Sequence, residues 1–143
     1  MIKEAYVSYE IAMIRAKELM IGDWFQTTYP SGRVDYRKVT GNFNNYVNTE
    51  DGTTNAIEPI PITPEILEKN GFYPIYKDEK SAYKWKKYDE DDNIQSIIID
   101  FERKRVSEVW SDRTRKSYKG EIVYVHELQQ IIKICGISKT IEL

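Results

Sequence analysis

Cysteine and histidine are almost missing from this chain, with one of each in 143 residues. A single cysteine excludes an internal disulfide, and one cysteine with one histidine makes no Cys/His metal cluster. Proline and glycine are sparse, at five and seven, and no low-complexity tract or repeat appears, which argues against a solenoid or a long disordered arm. Neither charge dominates. Lys and Arg number 21 against 23 Asp and Glu, for a net charge of −2, too little for the whole chain to bind DNA or membrane electrostatically. No apolar run approaches membrane-spanning length, and Met1–Glu4 is not followed by a signal-peptide core, so the expected location is the cytoplasm, with no membrane partner.

What is present is ordinary in amount and unusual in kind. A hydrophobic share of 41% beside 31% charged residues fits a soluble globular protein. Eleven tyrosines stand against four phenylalanines. Tyrosine has an apolar ring and a polar tip, so the bias suits half-exposed strands and contact surfaces.

The clearest local pattern is Ala56–Phe72, AIEPIPITPEILEKNGF. Pro59 and Pro61 cannot donate to a ladder, so this stretch is an edge strand or a crossover. Thr63 is a good N-cap, Pro64 suits the first helical position, and Glu65 favours the positive helix end. Gly71 after Asn70 can take the left-handed conformation that ends a helix, with Phe72 folding back on Leu67. The stretch divides the chain into residues 1–62 and 63–143, as two lobes or as one domain with a shared core.

The expected fold class is α+β. Ser8 caps a helix from Tyr9 to about Met20. Trp24–Thr28, Val34–Thr40 and Phe43–Asn48 read as strands, with Tyr29–Gly32, Gly41–Asn42 and the hairpin signal Asp51–Gly52 as turns. These predict a small curled antiparallel sheet or an SH3-like barrel. The short connecting helix follows. Beyond it, Tyr73–Tyr76, Ala82–Tyr88, Ile94–Phe101, Arg105–Ser111 and Glu121–Tyr124 predict an antiparallel meander. Val125, Leu128, Ile131, Ile132 and Cys135 recur at helical spacing, so a C-terminal helix ending at Gly136 is expected to cover that meander.

No catalytic constellation emerges, and no cofactor or metal is expected. His126-Glu127 begins like a zinc-peptidase helix, but Gln130 stands where the second histidine belongs. The pair is expected in the solvated first turn of the helix. Cys135 falls on the apolar helix face, where a thiol acts as a small hydrophobe. Asp89–Asp92 lacks the alternating ligands and central glycine of an EF-hand loop. No phosphate-binding glycine loop or nucleophile elbow is present.

One charge asymmetry has functional content. Residues 103–119 carry Arg103, Lys104, Arg105, Arg113, Arg115, Lys116 and Lys119 against Glu108 and Asp112, a local balance of +5. Trp110 and Tyr118 lie among them, and Lys84, Lys86 and Lys87 flank Trp85 on an earlier strand. Basic residues interleaved with aromatics hold phosphates and stack bases. Lys84, Trp85, Lys86, Arg103, Arg105, Trp110, Arg113, Arg115 and Tyr118 are therefore the candidate nucleic-acid contacts. The competing reading is a charged solvent face whose lysines block edge aggregation.

IEPIPITPEILEKNGF, the opening KEAYVSYEIA, IGDW before VTG, and YVHELQQIIKICGI with its acidic-apolar tail resemble segments of small uncharacterised proteins of Bacteroidetes bacteria and their phages. The resemblance implies a bacterial or phage intracellular setting and assigns no residue roles. The leading functional expectation is a non-enzymatic protein-interaction or accessory module with an unidentified protein partner. Nucleic-acid binding through the basic, aromatic strands is the alternative.

Overall fold

The computed structural model describes residues 16–43, 45–76, 79–88, 94–111, 114–116 and 121–143. The protein is α+β, with its strands paired antiparallel. It divides into two compact units, Met1–Ile60 and Pro61–Leu143.

In the first unit, β1 (Trp24–Thr28) pairs with β2 (Val34–Lys38). A second ladder holds β3 (Gly41–Phe43), β4 (Tyr46–Thr49) and β5 (Gly52–Thr54). The chain changes partners between the ladders: the Val39 N–H donates to Asp23 O at 3.0 Å, and the next N–H, of Thr40, donates to Asn48 O at 2.8 Å. The antiparallel pairing is as expected, but among the described residues it forms two separate ladders that do not close into a barrel. The proline-spaced segment runs beside β1, bridged by reciprocal backbone bonds between Gln26 and Glu58 of 2.9 and 3.0 Å. Phe25, Val39, Val47 and Ile57 form the buried centre with Ala16 and Leu19.

One expectation in this unit falls mostly outside the described residues and another is corrected. The predicted Tyr9–Met20 helix lies mostly outside the described residues, and its described end is a 3₁₀ turn, Ala16–Glu18, followed by Gly22 at φ +93°. A single strand from Phe43 to Asn48, entered by a turn at Gly41-Asn42, is instead the β3–β4 hairpin. Asn42 is a poor strand former, but its amide donates to Ala16 O at 3.2 Å and Leu19 O at 2.6 Å, which ties it into the ladder.

The second unit opens with α1 (Pro64–Lys69), capped as its residues dictate: Thr63 Oγ1 accepts the Ile66 N–H at 3.2 Å. Gly71 takes φ +83°, and the Phe72 N–H returns to Leu67 O at 2.9 Å, closing the expected C-terminal motif. Five strands follow in one sheet of order β10-β9-β8-β7-β6. They are β6 (Tyr73–Tyr76), β7 (Glu79–Tyr88), β8 (Ile94–Asp100), β9 (Arg105–Ser111) and β10 (Thr114–Lys116). Lys104, the last residue of the β8–β9 turn, sits at φ 49°, a position that glycine fills more cheaply. Ser107 is the extra residue where the β8–β9 register shifts, and its hydroxyl donates to Ile98 O at 3.4 Å.

The last helix, α2 (Val125–Ile134), buries Val125, Leu128 and Ile132. Gly136 ends it at φ +66° and the Ile137 N–H returns to Ile132 O at 3.0 Å. The strand expected at Glu121–Tyr124 is reduced to one bridge, Tyr124 to Pro61. Proline has no N–H with which to extend such a ladder. Asn70 ties α1 to the chain end: its amide donates to Glu142 O at 2.8 Å and its carbonyl accepts the Glu142 N–H at 2.7 Å. No helix among the described residues is long and apolar enough to cross a membrane.

Candidate binding surfaces of the five-stranded sheet

Strand pairing sorts the side chains of this sheet into two unlike sides. Tyr83 stands opposite Ile99, and Ile99 opposite Val106; Trp85 stands opposite Ile97, and Ile97 opposite Val109. All six are buried. This inner side meets α1, because Tyr83 Oη donates to Glu68 Oε1 at 3.0 Å. Burial raises the Tyr83 phenol pKa above 10.0, and the Glu68 carboxylate raises it further. The inner side also meets the chain beyond α2. There the Ser138 N–H donates to Gln95 Oε1 at 2.8 Å, and the Lys139 ammonium lies 5.7 Å from the Trp85 ring centre. Burial lowers the Lys139 pKa, with Glu142 partly opposing the shift.

The intervening residues make the outer side. Lys84 pairs with Tyr73 on one flank and Ile98 on the other, and Ile98 pairs with Glu108. Lys86 pairs with Ser96, and Ser96 with Trp110. Arg115 takes the ladder position beside Trp110. Tyr88 pairs with Ile94, and Arg105 with Asp100. At the usual interstrand spacing, Lys86 and Trp110 stand about 10 Å apart across Ser96. Lys86 holds its ammonium 4.8 Å from the Tyr88 ring centre, and a hydrogen bond with Tyr88 is the first cause of its raised pKa.

The candidate contacts separate accordingly. Lys84, Lys86, Arg105 and Trp110 share the outer side. Trp85 belongs to the inner side and is buried. Arg103 lies in the β8–β9 turn, exposed, with its N–H donating to Asp100 Oδ1 at 3.1 Å and its guanidinium 3.9 Å from Asp100 Oδ2. Arg115 is placed by its backbone register. Arg113, Tyr118 and the acidic stretch Asp89–Asp92 lie outside the described residues. Tyr73 and Tyr88 complete the outer side and were missed among the sequence candidates. The alternation Lys84, Lys86, Tyr88 carried that signal for Tyr88.

β6 is the terminal strand on its edge, and Tyr73, Pro74, Ile75 and Tyr76 are all exposed. Another exposed apolar set lies in the first unit, where Phe43 pairs with Tyr46 and both face solvent.

The helix residues behave differently from expectation. His126 is buried, with its ring stacked 6.0 Å from that of Tyr124, not solvated. Glu127 is a cap: its Oε1 accepts the N–H of Tyr124 at 2.9 Å and of Val123 at 3.1 Å. Cys135, at the C-terminal cap of α2, is half-buried. Among the described residues, no group of three or more His, Cys, Asp or Glu is placed to hold a metal ion. A cavity of about 110 Å³, lined by Ile62, Ile99, Phe101, Ile122 and Val123 with Asp100 and Lys104, opens by the β8–β9 turn. Its lining is mostly apolar.

No family model matches the chain, and no curated protein or solved structure shows significant similarity to it.

Proposed function

We propose that this protein is a non-enzymatic protein-binding module, an accessory factor in a bacterial or phage setting, with β6 as its docking element. The observation that carries the reading is the exposure of Tyr73, Ile75 and Tyr76, at 46%, 39% and 56%, on the terminal strand of the five-stranded sheet. An edge strand offers unpaired N–H and C=O groups to a partner strand. An extended segment of another protein that adds there gains main-chain hydrogen bonds, with specificity from alternate side chains. Exposed tyrosines supply contact area at low entropic cost and keep a hydroxyl in water. Pro74 removes one donor and restrains indiscriminate stacking.

Selection of extended peptides on the immobilised chain, followed by titration calorimetry of the enriched sequences, tests this. Selected peptides are expected to be apolar on alternate positions. Ile75→Lys is expected to weaken them about tenfold or more, as loss of a central apolar contact does. Enriched peptides that bind the Ile75→Lys and Tyr76→Ser variants as well as the parent would contradict the reading, as would the absence of any enrichment.

A further inference from the structure

We infer that the outer side of the five-stranded sheet binds single-stranded nucleic acid, with Trp110 as a stacking platform and Lys84, Lys86 and Arg105 as phosphate contacts. This goes beyond the protein-binding reading and centres on β7 and β9, with Tyr73 of β6 at its border.

The first observation is the register. Lys84 and Lys86 alternate on β7 and stand on the same side as Trp110 of β9, with β8 between them. Ser96, the small residue of that middle strand, is 5% exposed, so the longer side chains around it close over it and define the surface. Tyr73 and Tyr88 flank the lysines on that side, both exposed. A cation row beside aromatic rings is the arrangement that tracks a phosphate backbone while bases stack.

The second observation is the charge on that side. Among the described residues, the carboxylates of that side are Asp100 and Glu108. Asp100 accepts the Arg103 N–H and lies 3.9 Å from the Arg103 guanidinium, so its charge is already compensated. Glu108, opposite Ile98, also has an interaction partner. Lys84, Lys86 and Arg105 bring cations to that side, and Arg105 belongs to the stretch 103–119 that carries +5 in the sequence.

The chemistry selects the ligand. An acidic peptide would use the cations and leave the rings idle. A duplex keeps its bases stacked inside, out of reach of Trp110. Only an unpaired strand presents both a phosphate row and free base faces.

Fluorescence anisotropy with a labelled oligothymidine of about fifteen nucleotides tests the inference, since a site of this kind spans on the order of ten nucleotides. Binding is expected at about 50 mM salt and is expected to weaken steeply by about 200 mM. Lys86→Ala and Lys84→Ala are each expected to lower the salt slope by about one. Trp110→Ala is expected to weaken binding about 5- to 150-fold, whereas Trp110→Phe, which keeps a ring and guards against misfolding, loses under about threefold. Tyr76→Ser, which adds no charge, is expected to leave oligonucleotide affinity unchanged, so a failure here is distinct from a failure of the β6 reading. The inference is overturned by no anisotropy change at low salt, by a matched duplex binding as tightly as the single strand, or by oligoglutamate binding equally well. An affinity indifferent to both Lys86→Ala and Trp110→Ala also overturns it.

Discussion

The two units solve the same problem, holding antiparallel strands together, with different means. The first unit has strands of three to five residues in two ladders. Ladders that short bury little, and polar side chains reach across to tie them. Glu58, buried, accepts the Thr28 N–H at 2.9 Å and the Thr28 hydroxyl at 3.2 Å. Thr49, also buried, receives the Arg37 guanidinium at 2.8 Å and donates to Gly52 O at 2.9 Å. The second unit has one continuous five-stranded ladder whose central strands run seven to ten residues. There, strand register separates a buried side from one that carries Lys84, Lys86, Tyr88 and Trp110. One unit depends on particular polar contacts, whereas the other depends on register, which brings those four residues to one side.

Three substitutions distinguish the two units. The largest effect is expected at Phe25, fully buried in the small first-unit core. Phe25→Ala should cost about 3–5 kcal/mol, read as increased amide exchange over residues 24–38, because so few neighbours can fill the void. Next is Glu58→Ala. Removing the carboxylate strands the Thr28 N–H, so a loss of about 1–3 kcal/mol in denaturant unfolding is expected. A loss no larger than that of an exposed substitution such as Lys87→Thr would show that polar ties do not hold this unit.

The smallest effect is expected in the second unit, where Tyr83→Phe removes only the bond to Glu68. A cost of about 0.5–1.5 kcal/mol at neutral pH follows. The pH dependence gives a second readout. The folded phenol has a raised pKa, so it holds its proton where the unfolded chain releases it, near pH 10.0. This contribution is fully present below about pH 10 and falls as pH rises beyond it. The parent is expected to lose more stability than Tyr83→Phe between about pH 8 and about pH 11. Parallel losses would rule out the Tyr83 linkage.

Much of this architecture was legible residue by residue. Thr63-Pro64 and Asn70-Gly71 bracket α1 because caps are local chemistry. Ile94–Asp100 and Arg105–Ser111 announce themselves by β-branched alternation. What was not legible depended on distant partners. Asn42 enters a strand because of carbonyls at Ala16 and Leu19, 26 and 23 residues away. Tyr124 lacks a ladder because its neighbour is Pro61. Alternation also reveals two sides without saying which is buried. Val34 and Tyr36 look like the core side of β2, yet they are 45% and 50% exposed. Among the site residues, sequence grouped Trp85 with its flanking lysines, and only the pairing with Ile97 assigns it to the core.

Among the described residues, the five-stranded sheet has one sealed side, an exposed terminal strand β6, and an exposed Tyr88 on its other side. Hydroxyl-radical footprinting, read residue by residue by mass spectrometry, tests this arrangement most directly. Tyr73, Tyr76 and Tyr88, at 46%, 56% and 56% exposure, are expected to oxidise readily, while Tyr83 at 0% and Trp85 at 8% are protected. Oxidation of Tyr83 and Trp85 at rates matching those of Tyr76 and Tyr88 would contradict the account.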